Sequence, residues 1–232
     1  MSQSESPARM RYRIRFGKEG VMRYTSHLDV ARTWERALRR AGVPLIYSQG
    51  FNPRPQIQLA AALPLGCESR AEVLDIFLED EIIPSPADLL PRIAQTLPEG
   101  LVAYEISEVN YHEPALQTLR SAASYEVFPG ETLVLDELQK RVTHVLAQES
   151  LPRRRRKKVY DLRPLIIDLK VLSGEPVQIW MRLVSSQEDG TGRPDEVLEA
   201  LGLDPLDARI VRTNLTFDLD GESWRSVEIG SE

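Results

Sequence analysis

Residues 11–16 (RYRIRF) alternate strictly between large apolar side chains and arginines, and this pattern constrains the fold more than any other. A period of two is typical of a β-strand with one buried face. Soon afterwards Ser26 begins a helical pattern, and Asp29 stands where a capping box has its acidic residue. The chain therefore begins with a strand that leads into a helix. The inner face of this helix is expected to carry Leu28, Ala31, Trp34 or Glu35, Leu38 and Ala41.

The following strand and helix patterns repeat in order. Residues 9–113 read β-α-β-β-α-β, which is the ferredoxin-like arrangement, and residues 121–220 repeat that order more loosely. A length of 232 residues is sufficient for two such cores. We therefore predict an α+β protein of two tandem ferredoxin-like domains with antiparallel sheets, residues 9–113 and 121–220. Residues 1–8 and the acidic tail, residues 221–232, are expected to be disordered.

Composition excludes several classes of protein. One cysteine and three histidines cannot form an internal disulfide or a usual zinc site, and an iron–sulfur cluster needs several thiolates. No apolar run approaches the roughly 20 residues of a membrane span. The polar N-terminal sequence lacks the apolar region of a signal peptide. We expect a cytoplasmic protein that holds no metal or cofactor and does not bind a membrane.

The net charge of −6 conceals an uneven distribution. Residues 1–60 carry 11 basic and 4 acidic side chains, a charge of +7, whereas residues 61–232 carry 18 and 31, a charge of −13. A local positive surface is therefore available despite the acidic total. Alternatively, the two parts neutralise one another across an interface.

Four arginines share one face of the first helix, because their spacing is i, i+4, i+7 and i+8. They are Arg32, Arg36, Arg39 and Arg40. Guanidinium groups on a rigid face suit phosphate oxygens, to which each offers planar bidentate donors. The alternative is an ordinary solvated face on which Glu35 pairs with Arg39.

The loop SQGFNPRP, residues 48–55, has a composition typical of a specified turn. Phe51 beside Asn52 and Arg54 offers an aromatic ring and a cation, a combination that single-stranded nucleic acid exploits. Alternatively, Phe51 packs into the core and anchors the loop.

Six consecutive cations lie between a helix and a strand of the second half. They are Arg153, Arg154, Arg155, Arg156, Lys157 and Lys158. Such a run predicts a mobile loop or an exposed strand entry whose binding to a phosphate chain depends strongly on salt. A loop that only improves solubility is the alternative.

The arginines of the first strand are weaker evidence for binding. Arg11, Arg13 and Arg15 are expected on the face of the sheet that the helices leave open, where RNA-binding sheets of this topology carry aromatics. Asp75 and Glu79 share the outward parity of a neighbouring strand, so cross-strand ion pairs with the arginines are the favoured interpretation.

His27 is the one catalytic candidate, and it is a weak one. A helix N-terminus favours neutral imidazole, which can act as a general base. Four polar side chains are candidates to converge on it: Tyr24, Tyr47, Ser48 and Arg54. A helix-start histidine is more commonly a capping or packing residue.

One segment resembles a known family. It is residues 26–66, reading SHLDVARTWERALRRAGVPLIYSQGFNPRPQIQLAAALPLG, followed by ESRAEVLDIFL. It is similar to the radical-SAM-linked protein family, a domain of unknown function encoded beside a radical SAM enzyme or fused to its end. The resemblance is close over residues 11–80 and looser over residues 153–172 and around GRPDEVLEALG.

By position, the family pattern falls on seventeen residues of this chain. They are Ser26, His27, Leu28, Asp29, Arg36, Arg39, Arg40, Tyr47, Ser48, Gly50, Phe51, Asn52, Pro53, Pro64, Gly66, Ser69 and Glu72. Family members often have a histidine in the loop, where this chain has Arg54. The resemblance implies a radical SAM enzyme as partner, and any radical chemistry would belong to that enzyme.

The main functional hypothesis is a non-catalytic RNA-binding accessory module that acts with a radical SAM enzyme on a structured RNA, in RNA modification. One alternative is an enzyme, either a metal-independent RNA endonuclease or a transferase, with His27 as general base. Another is a protein-only adaptor for the partner enzyme. The sequence contains no recognisable catalytic or cluster-binding motif, which favours a non-enzymatic function.

Overall fold

A computed structural model describes residues 8–80, 82–130, 133–155, 158–219 and 222–225. The fold is mixed α+β, with mostly antiparallel strands and few helices. The chain divides into two compact units. The first unit is Met1–Leu65 with Glu72–Gln117, and the second is Gly66–Ala71 with Thr118–Glu232.

The first unit has a β-α-β-β-α-β order of elements. They are β1 (Ala8–Lys18), a 3₁₀ turn (Gly20–Tyr24), α1 (His27–Arg40), β2 (Ile57–Leu59), β3 (Glu68–Asp80), α2 (Pro86–Ala94) and β4 (Leu101–Val109). The strands lie in the order β4-β1-β3, and β2 pairs with β3. The β1–β4 and β2–β3 pairs are both antiparallel.

A single core cluster packs the two helices of the first unit onto its sheet. The strand residues Tyr12, Ile14 and Phe16 are buried, as the alternation of residues 11–16 predicts. Trp34 of α1 is fully buried, and its ring meets that of Phe16 edge-on at 4.9 Å. Burying such aromatic side chains removes large apolar areas from water and fixes the orientation of α1 on the sheet.

The buried stripe of α1 differs from the expected one at its first position. Leu28 was expected on the inner face but is 67% exposed, whereas Val30 and Ala37 are buried with Trp34. At about 100° per residue, Leu28 lies about 120° around the helix from Trp34. A stripe centred on Trp34 therefore cannot include Leu28.

The second unit contains the remaining elements, after a short helix α3 (Leu116–Leu119) at the division between the units. They are β5 (Arg120–Phe128), α4 (Leu135–Ala147), β6 (Pro152–Arg155), β7 (Lys158–Asp161), a 3₁₀ turn (Arg163–Leu165), β8 (Ile166–Leu172), β9 (Gln178–Val184), α5 (Pro194–Ala200), β10 (Arg209–Leu219) and β11 (Glu222–Arg225). The main strands lie in the order β10-β5-β9-β8, and every neighbouring pair is antiparallel. β6 and β7 form a separate two-stranded hairpin.

The first residues of β3 belong to the second unit. Glu68 and Ser69 pair in parallel with Val211 and Arg212 of β10, and Arg209 bonds to Glu68 at 2.8 Å. The domain predicted over residues 9–113 had included this segment. Local pattern could not reveal the difference, because the pairing partner lies more than a hundred residues away in the sequence.

Two parts of the segments predicted to be disordered are strands, since Ala8 begins β1 and Glu222–Arg225 form β11, which pairs with β10. The other residues of 1–8 and 221–232 lie outside the described residues. Within the described ranges, none of the helices combines the length and the apolar composition that crossing a bilayer requires.

Candidate nucleic-acid interface

Helix α1 presents its arginines to solvent because Trp34 fixes the opposite face. At about 100° per residue, all four arginines lie within about 60° of the direction directly opposite Trp34. They are Arg32, Arg36, Arg39 and Arg40, and all four are exposed. We call these residues the α1 stripe.

The start of α1 is held by a reciprocal cap. The Ser26 hydroxyl accepts a hydrogen bond from the Asp29 amide at 3.2 Å and donates one to the Asp29 carboxylate at 2.7 Å. The bond from Ser26, together with the charge of Arg32, lowers the pKa of Asp29. The predicted Ser26 cap is therefore present, but the Asp29 carboxylate bonds to the Ser26 hydroxyl instead of the Ser26 amide that a capping box would use. The carboxylate also engages Arg32, which lies 3.3 Å from it.

The other three arginines of the α1 stripe differ in whether they already have a hydrogen-bond partner. Arg40 donates to the carbonyl oxygen of Thr96 at 2.8 Å. Arg36 and Arg39 form no hydrogen bond or ion pair with any residue that the structure describes, and the proposed pairing of Glu35 with Arg39 does not occur. Two guanidinium groups of this stripe are therefore exposed and free to accept an anionic ligand.

The loop of residues 48–55 extends from an edge of the first sheet and returns to the same edge. The chain enters and leaves it beside β3, since the Ile46 amide bonds to the Phe77 carbonyl and the Phe77 amide bonds to the Gln56 carbonyl. Across the base of the loop, the Ser48 amide bonds to the Arg54 carbonyl at 2.8 Å. The Arg54 amide in turn bonds to the Ser48 hydroxyl at 3.0 Å. The loop is thus held by its own backbone.

Phe51 lies in this loop with its side chain fully exposed. The alternative in which Phe51 packs into the core is therefore wrong. Asn52 and Arg54 are exposed as well. An uncovered aromatic ring beside an exposed cation can stack on a planar group and pair with a phosphate.

The described residues of the basic run lie in β6 and at the start of β7, which pair as an antiparallel hairpin, so the predicted exposed strand entry is present. Pro152 pairs with Asp161 and Arg155 pairs with Lys158. Arg153 is half-buried and donates to the Pro152 and Glu196 carbonyl oxygens. The exposed members of the run are Arg154, Arg155 and Lys158; Arg156 and Lys157 lie outside the described residues.

A cavity of about 710 Å³ opens beside this hairpin, within the second unit. It is lined by Arg155, Lys158 and Tyr160 of the hairpin and by Ser186, Gln187, Asp189, Gly190 and Thr191, among others. We call it the hairpin cavity. Local sequence patterns could not predict it, because its two sets of lining residues lie about thirty positions apart and meet only in the folded unit.

The arginines of β1 are buried in an ionic cluster. Asp75, which is fully buried, accepts hydrogen bonds from Arg11 at 2.5 Å and from Arg13 at 2.8 Å. Arg13 also pairs with Glu113 at 3.0 Å. Although burial opposes it, the bonds to Asp75 and Glu113 raise the pKa of Arg13. The expected pairing with Asp75 is present.

The segment that follows β4 covers this face of the first sheet. Arg11 donates to the backbone carbonyls of Glu113 and Pro114, and the ring of Tyr111 meets that of Phe77 edge-on at 5.8 Å. The expectation that Arg11 and Arg13 lie on an open face is therefore wrong. Arg15 is mostly buried and pairs with Glu105, while Glu79 pairs with Arg9.

A family model described as "Uncharacterized protein conserved in bacteria (DUF2344)" matches residues 11–194. The chain belongs to this family. The match spans the α1 stripe, the loop of residues 48–55 and the hairpin cavity. The family description names no activity and no radical SAM enzyme, so that partner stays a prediction.

The other comparisons add no function to this DUF2344 chain. No curated protein matches it. Among solved structures, one titled "Crystal Structure of an Unknown Protein from Galdieria sulphuraria" is 12% identical with a TM-score of 0.26, covering 88% of this chain and 96% of its own. Another, titled "Crystal structure of putative glycine cleavage system transcriptional repressor", is 14% identical with a TM-score of 0.24, covering 90% and 98%.

His27 lines a small cavity with two buried ionisable residues that sequence reasoning did not connect with it. They are Lys18, which donates to the Thr25 carbonyl at 2.9 Å, and Glu72. The cavity measures about 10 Å³, about the space of one water molecule. None of the four side chains expected to converge on His27 is among the described residues that line it.

No group of three or more histidine, cysteine or acidic residues in the described part of the chain could hold a metal ion. The single cysteine, Cys67, is buried.

Proposed function

We propose that this DUF2344 protein is a non-catalytic RNA-binding accessory module that acts with a radical SAM enzyme in RNA modification. The observation that carries the RNA-binding part is the state of Arg36 and Arg39. Both are exposed on a helix whose orientation is fixed by the buried Trp34, and neither has a carboxylate partner among the described residues. Such guanidiniums can bind phosphate without first breaking an ion pair.

The loop of residues 48–55 supports single-stranded or looped RNA as the ligand. Phe51 is fully exposed on a loop that its own hydrogen bonds hold in place, so an unpaired base can stack on it with little further ordering. Arg54 of the same loop is available for a neighbouring phosphate.

The basic hairpin provides a second cationic surface, in the other unit. Arg154, Arg155 and Lys158 are exposed, and none has an ion pair with a residue that the structure describes. Binding that uses both surfaces should depend steeply on salt concentration, because each phosphate contact releases counterions.

We further propose that both units are ferredoxin-like domains. The support is the β-α-β-β-α-β order of the first unit and the same order in the second unit once the β6–β7 hairpin and β11 are set aside. The strand orders also correspond, β4-β1-β3-β2 and β10-β5-β9-β8. In the first unit, the segment after β4 occupies the face that RNA-binding sheets of this topology use. The proposed RNA contacts therefore come from a helix and loops.

The radical SAM enzyme as partner rests on the resemblance of residues 26–66. An apolar surface at the start of α1 is suited to contact with a protein, since Val21, Tyr24 and Leu28 are all more than half exposed. The cytoplasm is the proposed location.

A salt titration with a structured RNA tests RNA binding. Fluorescence anisotropy of a labelled RNA hairpin should show binding at low salt, with log Kd rising linearly with log salt concentration. Replacing Arg36 and Arg39 by alanine should reduce the slope by about two. Arg9→Ala is the matched control, because Arg9 is equally exposed but already paired with Glu79. Absence of binding at low salt would refute the proposal.

The enzyme hypothesis has one observation in its favour, the shared cavity of His27, Lys18 and Glu72. The cavity holds no more than a water molecule, so a substrate would have to bind outside it, next to His27. Incubation of cellular RNA with the wild type and with His27→Ala decides between the two functions. Cleavage or modification without a partner, lost in His27→Ala, would favour the enzyme.

A further inference from the structure

The hairpin cavity has the size of a small-molecule site. Its volume is about 710 Å³, within the range of about 300–1,000 Å³ usual for such sites. All of its lining residues belong to the second unit. The cavity is also mixed in character, with charged, aromatic, apolar and hydroxylic side chains around one space.

One part of the lining is positive. Arg155 and Lys158 face each other across the β6–β7 pairing and are both exposed, and the described residues provide no ion pair for either. Asp161 also lines the cavity, but its carboxylate accepts the Leu151 and Arg163 amides at 2.7 and 2.9 Å. These bonds lower the pKa of Asp161. Because its carboxylate is bonded to backbone amides and forms no described ion pair with Arg155 or Lys158, these two cations remain available for an anion.

A second part of the lining is flat and apolar. The Tyr160 hydroxyl donates to Glu196, and burial together with this carboxylate raises the pKa of Tyr160. Because the hydroxyl is engaged by Glu196, which does not line the cavity, the ring is the part of Tyr160 that remains for a ligand. Pro164 and Leu165 also line the cavity. An aromatic ring with apolar neighbours suits the face of a nucleobase.

The third part is a loop that carries hydrogen-bonding side chains. The Ser186 hydroxyl accepts the amides of Glu188 and Asp189, and the Ser186 amide bonds to the Gly190 carbonyl at 2.8 Å. This bonding holds the loop while Asp189 and Thr191 stay exposed along the cavity. A carboxylate and a hydroxyl can accept hydrogen bonds from ribose hydroxyls or base amino groups.

We propose that the hairpin cavity binds one phosphorylated nucleoside. The phosphate lies on Arg155 and Lys158, the base lies against Tyr160 and Leu165, and the sugar or base edge meets Asp189. The ligand is either a free mononucleotide or a single unstacked nucleotide of an RNA, and the second source rests on the proposed RNA-binding function.

Isothermal titration of the full chain with AMP and UMP tests the free-nucleotide source. Both should bind, and adenosine and uridine, which lack the phosphate, should bind at least roughly tenfold more weakly because a charge-assisted contact is lost. The RNA source is tested with a hairpin carrying one bulged nucleotide and the same hairpin without the bulge. The bulged RNA should bind more tightly and should compete with AMP.

The variants are chosen to separate the cavity from general charge. Arg155→Ala and Lys158→Ala should each weaken binding of the nucleotide roughly tenfold. Lys140→Ala is the matched control, since Lys140 is an exposed cation of the same unit that does not line the hairpin cavity. Thr191→Trp places a large side chain in the space and should abolish binding of the nucleotide without removing any charge.

The outcomes are distinguishable. Nucleotide binding, or preference for the bulged RNA, that is lost in Thr191→Trp and kept in Lys140→Ala supports the cavity site. The cavity site is overturned if neither ligand binds there, or if Lys140→Ala weakens nucleotide binding as much as Arg155→Ala does. RNA binding that depends only on Arg36 and Arg39 would leave the proposed function intact. Mononucleotide binding without any RNA binding would leave only the cavity site.

Discussion

The arginines of β1 and those of α1 lie in the same unit but in opposite environments. Arg11 and Arg13 are buried and share one carboxylate, that of Asp75, whereas Arg36 and Arg39 are exposed and have no described partner. The difference follows from the neighbours of each arginine. In the sheet, the adjacent strand β3 brings Asp75 within reach of Arg11 and Arg13, whereas Arg36 and Arg39 on the outer face of α1 point to solvent.

This comparison shows that clustered arginines in a sequence have two separate meanings. A buried pair around a carboxylate holds a fold together, and removal of one partner leaves an uncompensated charge. Two exposed arginines without carboxylate partners contribute little to stability and are available for a ligand. If the two sets of arginines are as different as their environments indicate, removal of Asp75 should mainly cost stability, and removal of Arg36 with Arg39 should mainly cost RNA binding.

The largest effect is expected for Asp75→Ala. It leaves the buried guanidinium of Arg11 without a carboxylate and that of Arg13 with Glu113 alone, which should lower the free energy of unfolding by about 3–5 kcal/mol. Urea denaturation measures the change, and Asp75→Asn, which keeps the shape and one acceptor oxygen, covers the case in which the alanine variant does not fold. Glu79→Ala is the control, because it removes only the partially exposed pair with Arg9 and should cost less than about 1 kcal/mol. Equal losses in the two variants would contradict the comparison.

Replacement of Arg36 and Arg39 together by alanine should weaken RNA binding and leave stability unchanged, in contrast to Asp75→Ala. RNA binding should weaken by about 3 kcal/mol at low salt, if each residue makes one charge-assisted bond to phosphate. The midpoint of urea denaturation should stay unchanged, since neither side chain is buried or paired with a described residue. A clear loss of stability with unaltered RNA affinity would show that these arginines are structural after all.

Phe51→Ala sharpens the comparison by testing the loop without changing charge. Loss of a stacking ring should weaken binding of a looped RNA by about 1–3 kcal/mol and leave duplex RNA binding nearly unaffected. The control is Leu206→Ala, which removes another almost fully exposed apolar side chain, in the second unit. If both substitutions changed RNA binding equally, stacking on Phe51 would be excluded.

Ser26→Ala tests how far the α1 stripe depends on the start of its helix. Loss of the N-cap should lower the free energy of unfolding by about 1 kcal/mol. The effect on RNA affinity should be smaller, because Arg36 and Arg39 lie beyond the first turn and Trp34 still anchors the helix. Thr33→Ala in the same helix provides the control, since its hydroxyl bonds only within α1.

The smallest effect concerns pH. The folded-state pKa of Asp29 lies below its usual value of 3.8, so its ionised form stabilises the folded state above that pH. This contribution should be lost as the pH falls below 3.8 and through the folded-state pKa. The stability of Asp29→Asn should therefore depend less on acid than that of the wild type. Parallel acid denaturation curves for the two proteins would contradict the assignment.

The local patterns of the sequence were sufficient for much of the first unit. The alternation of residues 11–16 predicted the buried Tyr12, Ile14 and Phe16, and Ser26 with Asp29 predicted the helix start. These features depend on neighbours within a turn or a strand, where period and capping chemistry are decisive. The prediction that Leu28 is buried was wrong because the buried face of the helix is centred on the residue that packs against the sheet, which is Trp34.

The candidate site was only partly accessible to the same reasoning. The spacing of the α1 stripe placed four arginines on one face, but it could not reveal that Arg32 and Arg40 are already engaged. The basic run was recognised as charge, yet its hairpin and the adjoining cavity were not, since residues 186–191 are distant in sequence. Which distant residues come together is decided by how the strands pair in the folded protein.

The sequence by itself determined the type of each main element, the capped start of α1 and the side of that helix on which its arginines lie. Only the tertiary structure decided which cations are neutralised, that Phe51 is uncovered and that a cavity lies beside the hairpin. Helices and strands arise from residues a few positions apart. Asp75 and Arg11 are 64 positions apart, and only the folded sheet brings such groups together.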